Sequence, residues 1–205
     1  MAVFSQETLK VAAIQLRASS DKAQNIHRAS MAVQGAIASG AQLIVLPEVF
    51  VYRGKTAGQS FLKNVAESIP GPTTKYFAQL ARTYKVHILM GSMYEKINGS
   101  QRVYNTSVFI NAQGRIVGKY RKINLFNAVV GGKRIQEFKT FRAGNKLAIA
   151  RVKGFSVGLS ICYDLSFPEL YRQYARQGVD IICVPSCFRC EIETHIVNAE
   201  CLVQL

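Results

Sequence analysis

The chain has 205 residues, 49% of them hydrophobic and 19% charged, and no apolar run approaches the roughly 18 residues of a membrane span. This composition predicts one soluble domain over residues 1–205, and the N-terminus MAVFSQETLK lacks a signal-peptide pattern, so we expect a cytoplasmic protein without a membrane partner. The net charge of +14 would attract nucleic acid, but the basic residues are scattered singly or in pairs, so we expect no nucleic-acid partner.

The N-terminal part of the chain predicts a βαβ unit. LKVAAIQL (9–16) and AQLIVLPEVF (41–50) are almost continuous apolar runs of strand length, the pattern of strands that are buried on both faces. Between them, Asp21 is a candidate N-cap, and apolar residues recur at helical spacing until Gly40. A strand, a helix and a strand at this spacing predict a parallel pair joined by a right-handed crossover.

The middle of the chain continues with one more helix and strand and then changes to hairpins. GPTT (71–74) begins the helix, and VHILMGSM (86–93) is the strand after it. RVYNTSVFI and RIVGKYRK flank the turn NAQG (111–114), which predicts a β-hairpin. KLAIARV and FSVGLSICYD, joined at Lys153 and Gly154, predict a second hairpin.

The last regular elements are a helix and a strand. Pro168 suits the first turn of the helix PELYRQYARQG, Gly178 closes that helix, and the strand VDIICVP (179–185) follows. A chain that combines βαβ units with antiparallel hairpins predicts an α/β layered domain in which helices cover a sheet.

Three polar side chains come at the ends of predicted strands: Glu48 ends LIVLPE, Lys122 ends RIVGKYRK and Cys162 ends GLSIC. Open α/β sheets bind ligands at the carboxyl ends of strands. There a carboxylate can take a thiol proton, the thiolate can attack a carbonyl or nitrile carbon, and an ammonium group can offset the developing charge. Each residue alone also has a structural explanation: Cys162 could be a core thiol, Glu48 a cap for the next element and Lys122 a solvated charge.

Each of these residues lies in a longer motif. The motifs are LPEVF at Glu48, GKYRKINLF at Lys122 and GLSICYDLSFPEL at Cys162. Together and in this order, they resemble the three signature blocks of the nitrilase superfamily, the carbon-nitrogen hydrolases, and the resemblance extends from KVAAIQL to DIICVPSCF. It implies an αββα sandwich, in which two sheets lie between helical layers.

The resemblance also implies a role for each residue. Glu48 would be the general base, Lys122 the cation that faces the tetrahedral intermediate, and Cys162 the nucleophile that forms a thioester. The backbone N–H of Tyr163 would complete the oxyanion hole. Glu137 corresponds to a second glutamate of the family, which orients the lysine or the attacking water, although it lies about one residue closer to Lys122 than expected. No metal ion or organic cofactor is implied.

ICYDLSFPEL and YRKINLF resemble the small ω-amidase-like and deaminated-glutathione-amidase-like members of the superfamily. Such members hydrolyse amides of short carboxylic acids and release ammonia, so the resemblance implies a small, anionic amide substrate. It also implies a homo-oligomer. Asn124 departs from the histidine that usually stands two residues after the catalytic lysine.

After VPSCF the sequence diverges from the family. The resemblance leads us to expect a Trp-Glu pair and an Arg-rich helix there, but residues 189–205 read RCEIETHIVNAECLVQL and the chain contains no Trp. We therefore expect a chain that lacks the usual C-terminal part of the domain. A catalytically impaired, truncated paralogue is one alternative function.

The same tail supplies a second alternative. The chain has five cysteines, an odd number that favours reduced thiols over a disulfide framework. The spacing Cys187-x2-Cys190-x4-His195-x5-Cys201 is one residue from that of a zinc knuckle, a module that binds single-stranded nucleic acid. Against this hypothesis, the segment lacks the glycines of a tight metal loop.

Overall fold

The described part of the chain forms four α-helices and ten strands. The computed structural model describes residues 8–54, 60–130 and 132–187. In chain order the elements are β1 (Val11–Ala13), α1 (Lys22–Ala38), β2 (Leu43–Val45), α2 (Ser60–Val65), α3 (Pro72–Tyr84), β3 (His87–Lys96), β4 (Val103–Ile110), β5 (Ile116–Arg121), β6 (Asn127–Val130), β7 (Lys133–Gln136), β8 (Ile149–Val152), β9 (Phe155–Leu159), α4 (Pro168–Arg176) and β10 (Ile181–Cys183). Short 3-10 turns at Glu137–Lys139 and Cys162–Ser166 follow β7 and β9.

The strands within the described ranges form three sheets. The largest has the order β1-β2-β3-β4-β5, in which β1, β2 and β3 are parallel and β4 and β5 are added antiparallel. The second has the order β10-β9-β8, and β6 and β7 form a separate hairpin. Because two antiparallel steps separate β5 from β3, strands β2 and β5 run in the same direction and end at the same edge of the large sheet.

Two hydrophobic cores define four layers, and strand β2 shows how its residues divide between them. Ile44 belongs to the core between the large sheet and helices α1 and α3, whereas Leu43 and Val45 belong to the core between the two larger sheets. This alternation is the two-residue period of a strand that is covered on both faces. On the outer face of the second sheet, an added Cβ at Gly158 would lie 3.1 Å from the Tyr174 ring of α4. The order helix, sheet, sheet, helix confirms the predicted αββα sandwich.

Several local signals of the sequence are confirmed. The Asp21 carboxylate caps α1, because it accepts a hydrogen bond of 3.0 Å from the N–H of Gln24. Gly40, just beyond the end of α1, has φ 81°, which glycine adopts without a steric penalty. Gly114 (φ 73°) closes the β4–β5 hairpin, and Pro168 is the first residue of α4.

The strands that lead to the predicted site end earlier than expected. β2 ends at Val45, although the apolar run continues to Phe50, because Pro47 has no N–H with which to extend the ladder. β9 ends at Leu159, and Cys162 begins a 3-10 turn instead of ending the strand. Helix α2 and the β6–β7 hairpin were not predicted, because such short elements contain too few apolar repeats to set a period.

Candidate active site

The three residues that the sequence predicts as a catalytic set lie together at one edge of the sandwich. Glu48 and Lys122 follow β2 and β5 in the large sheet, and Cys162 follows β9 in the second sheet. The Nζ atom of Lys122 lies 3.4 Å from Oε1 of Glu48, and the thiol of Cys162 is close enough to the same carboxylate to interact with it. Glu48 is 6% exposed and Lys122 is 1% exposed, so these charges interact where most water is excluded.

An irregularity in the neighbouring strand β3 holds the loop that carries Glu48. Gly91 has no room for a side chain, because an added Cβ would lie 1.8 Å from the backbone oxygen of Leu46. The Oγ atom of Ser92 accepts a hydrogen bond of 2.9 Å from the N–H of Val49. This bond helps to hold Val49 at φ 44°, a conformation that β-branched residues rarely adopt. Two residues of β3 thereby fix the backbone on both sides of Glu48.

Lys122 lies between two carboxylates. Its Nζ atom is 3.2 and 3.0 Å from the two carboxylate oxygens of Glu137, in addition to its contact with Glu48. Oε2 of Glu137 also accepts a hydrogen bond of 2.8 Å from the N–H of Phe126, which fixes this carboxylate independently of the lysine. Burial alone would lower the pKa of Lys122, but the charges of Glu48 and Glu137 outweigh burial and raise the pKa above its ordinary value. Lys122 is therefore a cation throughout the physiological pH range.

Cys162 occupies a sharp turn between β9 and α4. It has φ 49°, in the left-handed region that residues other than glycine seldom enter. Its N–H donates a hydrogen bond of 3.1 Å to the backbone oxygen of Pro185. The buried Asp164 carboxylate accepts hydrogen bonds from the N–H of Ile161 at 3.0 Å and from the hydroxyl of Tyr120 at 2.7 Å. The turn is thus held on both sides of the thiol.

Asn124 and Tyr163 lie beside this turn. Asn124 donates two hydrogen bonds, of 2.8 and 3.0 Å, to Oδ1 of Asp164, so the residue that departs from the family's histidine contacts the carboxylate of the turn. Tyr163 is the second residue of the 3-10 turn, where the first N–H groups have no partner within the turn. Its ring packs edge-on against Phe126 and Phe167, with centroids 4.9 and 5.4 Å apart.

The surroundings of Cys162 keep its thiol protonated at rest. Burial raises the pKa of Cys162 well above its ordinary value, the negative charge of Glu48 raises it further, and Lys122 opposes this only in part. Burial also raises the pKa of Glu137, against the lowering effect of Lys122. A protonated thiol becomes a strong nucleophile when a base takes its proton, and the Glu48 carboxylate interacts with this thiol.

Sequence analysis missed Asn105, a residue of β4 that contacts both charged partners. Its Nδ2 donates a hydrogen bond of 2.9 Å to Oε1 of Glu48, and its backbone oxygen accepts one of 2.9 Å from the N–H of Lys122. Asn105 is buried, and its Oδ1 has no hydrogen-bond partner among the described residues. In the sequence, the one available signal is an amide within the strand segment YNTSVFI.

Cys187, which follows β10, brings a second thiol to the site. Its backbone N–H interacts with the thiol of Cys162 and lowers the pKa of that thiol, and its own Sγ accepts a hydrogen bond of 2.8 Å from Nη1 of Arg53. No motif in the sequence had indicated Arg53. Its loop lies 134 positions from Cys187, and only the fold brings the two together.

The zinc-knuckle hypothesis concerns a segment that the structure describes only at its first residue. Cys190, His195 and Cys201 lie outside the described residues, as does the rest of the divergent segment 189–205. Within the described ranges, no group of three His, Cys, Asp or Glu side chains is placed to hold a metal ion. The described helices also include none with the length and apolar character needed to cross a membrane.

Comparisons with known proteins identify the family of this sequence. The sequence matches the carbon-nitrogen hydrolase family over residues 10–200. Omega-amidase NIT2 of Danio rerio is 36% identical over 180 residues, which cover 87% of this chain and 63% of that protein. This chain therefore spans less than two thirds of that relative's length.

Two solved structures have the same fold. Nit3 of Saccharomyces cerevisiae, a member of branch 10 of the nitrilase superfamily, has a TM-score of 0.76 at 29% identity, covering 91% of this chain and 67% of that one. The C. elegans NitFhit protein has a TM-score of 0.79 at 23% identity, covering 92% of this chain and 47% of that one. The second likeness concerns the fold alone.

Proposed function

We propose that this chain, which belongs to the carbon-nitrogen hydrolase family, hydrolyses the amide of a small carboxylic acid through a thioester on Cys162 and releases ammonia. One observation carries the proposal: the Glu48 carboxylate interacts with both the thiol of Cys162 and the ammonium group of Lys122. The proposed base therefore lies beside both the proposed nucleophile and the cation. The similarity to a protein named an omega-amidase supports an amide as the substrate.

The first half of the reaction forms the thioester. Glu48 accepts the thiol proton while the sulfur of Cys162 attacks the carbonyl carbon, so no thiolate needs to exist beforehand. The ammonium group of Lys122 and the N–H of Tyr163 stabilise the oxyanion that develops. When the C–N bond breaks, Glu48 returns the proton to the nitrogen, and ammonia departs.

The second half of the reaction releases the acid. Glu48 takes a proton from a water molecule as the water oxygen attacks the thioester carbon, and the C–S bond then breaks. The sulfur of Cys162 regains a proton, and the carboxylic acid leaves. Glu137, whose two oxygens contact Lys122, keeps the ammonium group directed towards the reacting carbonyl in both halves.

A test of the nucleophile compares two cysteine variants by intact mass after mixing with a short-chain amide. Cys183 in β10 is a matched control, because it is a fully buried thiol of the core between the sheets. We expect the acyl mass on the parent and on Cys183→Ala, no acyl mass on Cys162→Ala, and ammonia release only where acylation occurs. Equal acylation of the two variants would contradict the assignment.

The rest of the proposal concerns the working form of the protein. We infer one carbon-nitrogen hydrolase domain over residues 1–205 that acts in the cytoplasm as a homo-oligomer, with a small-molecule amide as its partner and without nucleic acid or membrane. The reaction described above uses protein side chains and water. Sedimentation at several protein concentrations tests the oligomer, and a mass that stays at the monomer value would contradict it.

A further inference from the structure

The buried amide of Asn105 in β4 gives the two oxygens of the Glu48 carboxylate different surroundings. Within the described residues, two side-chain donors bond to this carboxylate, and both of them meet Oε1. Nδ2 of Asn105 lies 2.9 Å from Oε1, and Nζ of Lys122 lies 3.4 Å from it. Neither hydrogen bond involves Oε2. The two oxygens of the proposed base are therefore not equivalent, because Oε1 is held by donors and Oε2 is left to interact with other groups.

The orientation of the Asn105 amide follows from the charge beside it. An ionised carboxylate only accepts hydrogen bonds, so the amide must turn its NH2 group towards Glu48. Its Oδ1 has no hydrogen-bond partner in the part of the chain that the structure describes, although Asn105 is only 1% exposed. A buried acceptor without a partner is unfavourable for folding, and a leucine of similar size would avoid it. Stability alone therefore does not account for an amide at this position.

The backbone of Asn105 has a separate role that does not depend on its side chain. Its carbonyl oxygen accepts a hydrogen bond of 2.9 Å from the N–H of Lys122, and β4 pairs with β3 on one side and with β5 on the other. These backbone contacts are available to any side chain at position 105. A substitution of Asn105 can therefore remove the donor to Glu48 and leave the backbone of Lys122 in place.

Asn105 also differs from the other groups around Glu48, because it carries no charge and does not titrate. The titratable groups on which the charge of Glu48 acts are Lys122 after β5, Glu137 in the turn after β7, Cys162 after β9 and Tyr94 in β3. A neutral donor can hold the carboxylate at every pH without bringing a further charge to the site. The hydrogen bond from Asn105 therefore leaves the positive charge of Lys122 for the developing oxyanion.

We propose that Asn105 is a positioning residue that holds Oε1 of Glu48 and leaves Oε2 as the oxygen that exchanges protons. This inference rests on the proposed amidase function and adds to it the residue that orients the base. Oε2 takes the proton of the Cys162 thiol as the sulfur attacks the carbonyl carbon, and it returns this proton to the nitrogen when the C–N bond breaks. Oε1 keeps its donors during both transfers, so the carboxylate stays in one orientation.

The test compares two substitutions at neighbouring positions of β4. Asn105→Leu removes the donor to Glu48, whereas Thr106→Val, the matched control, removes a hydroxyl that donates a hydrogen bond of 2.8 Å to the buried Glu95 carboxylate. Asn105→Leu should lower kcat for a short-chain amide by about tenfold to hundredfold, as expected for loss of a hydrogen bond to a charged group. KM should stay within about twofold, because Asn105 acts on the substrate only through Glu48.

The pH profile distinguishes positioning from a structural role. The acid limb of kcat/KM should move to higher pH in Asn105→Leu, because the lost donor favoured the ionised form of the base. Thr106→Val should keep the kcat and the pH profile of the parent. A lower kcat in Asn105→Leu with an unchanged profile would indicate that the amide only supports the structure, and it would overturn the inference.

A second variant separates the donor from the shape of the side chain. Asn105→Asp keeps the shape but replaces the NH2 group with an acceptor oxygen, so kcat should fall at least as far as in Asn105→Leu. Urea denaturation shows which variants fold. A parent-like kcat in a folded variant of Asn105 would overturn the inference and leave the amidase proposal standing. Failure of both variants to fold would assign Asn105 to the structure and would also overturn the inference.

A titration separates this inference from the proposed function. If the parent hydrolyses no amide, ¹³C NMR can follow the carboxyl group of Glu48 across the acidic range, with its signal identified by its absence from Glu48→Gln. A titration midpoint that is higher in Asn105→Leu than in the parent, and unchanged in Thr106→Val, would support Asn105 as the residue that holds Glu48 although the proposed function fails. A midpoint that is unchanged in Asn105→Leu, or that moves as far in Thr106→Val, would overturn the inference.

Discussion

Two charged clusters begin at neighbouring residues, Arg121 at the end of β5 and Lys122 directly after it, and they balance their charges differently. In the first cluster, the buried Glu95 carboxylate is saturated with donors. It accepts hydrogen bonds from Arg121 at 2.7 and 2.8 Å, from Lys119 at 3.0 Å and from the hydroxyl of Thr106 at 2.8 Å. Burial would raise the pKa of Glu95, but these partners outweigh it and lower the pKa.

In the second cluster, two carboxylates share one cation. Glu48 and Glu137 both contact Lys122, and burial raises the pKa of Glu137 in spite of that contact. The difference shows what each cluster can do. Glu95, which is saturated with cations, contributes to stability and resists protonation, whereas Glu137, which shares its cation, is protonated more readily.

The largest expected effect comes from removing one carboxylate charge from each cluster. Glu48→Gln should lower kcat by about 10³-fold, because the thiol loses its base, with little change in the free energy of unfolding. Glu95→Gln should keep kcat within a few fold and lower the free energy of unfolding, because Arg121 and Lys119 lose a buried partner. Ammonia release and urea denaturation measure the two quantities. A large loss of stability with retained activity in Glu48→Gln would instead indicate a capping role for Glu48.

The next effect compares the lysines of the two clusters. Lys122→Met should lower kcat/KM by about 10² to 10³-fold, because the oxyanion loses a buried cation. Lys119→Met removes a lysine whose side chain is 37% exposed, and the rate should stay within about twofold. Steady-state kinetics on one amide substrate checks both variants. Similar losses in the two would mean that general positive charge, rather than the position of Lys122, supports the reaction.

A smaller effect concerns the influence of the Glu48 charge on the pKa of the Cys162 thiol. Glu48→Gln removes a negative charge beside Cys162, so the pKa of Cys162 should fall and more thiolate should exist at a fixed, mildly alkaline pH. Iodoacetamide should then alkylate Cys162 faster in Glu48→Gln than in the parent, although turnover is slower. Glu95→Gln is the control and should leave the alkylation profile unchanged. Slower alkylation of Glu48→Gln would contradict the proposed repulsion.

The smallest expected effect is the pH dependence of the saturated cluster. Because the folded pKa of Glu95 is lowered, its contribution to stability is present above the pKa of the unfolded chain and is lost as the pH falls through the folded value. The difference in unfolding free energy between the parent and Glu95→Gln should be about 2 kcal/mol at neutral pH and should shrink in acid. Urea denaturation across the acidic range measures it. A difference that does not change with pH would show that Glu95 acts through packing.

The sequence predicted the parts of the site that depend on local pattern. Glu48, Lys122 and Cys162 could be brought together in advance because each follows a strand, and the carboxyl ends of such strands meet at one edge. Glu137 could be named from the resemblance to the family. What could not be predicted was how these groups contact one another, because each contact joins segments that are 15 or more positions apart.

The supporting residues needed the fold. Asn105 reaches Glu48 across 57 positions, and Arg53 reaches Cys187 across 134 positions. Gly91 is required because the backbone of Leu46 approaches it closely. No sequence pattern within β3 indicates this approach. The order of βαβ units and hairpins, a local property, predicted only helices that cover a sheet, and the four αββα layers were implied by the resemblance to the family.

The left-handed backbone at Cys162 has a consequence for how this chain would change under selection. Glycine would hold φ 49° at lower energy, by about 1 kcal/mol, so the turn would be more stable without the thiol. A library randomised at this position and sorted for stability alone should therefore drift towards glycine, whereas one sorted for acylation should keep cysteine. A lineage that no longer used the reaction would gain stability by replacing Cys162 with glycine. A lineage that still used it would keep the thiol at this strained position.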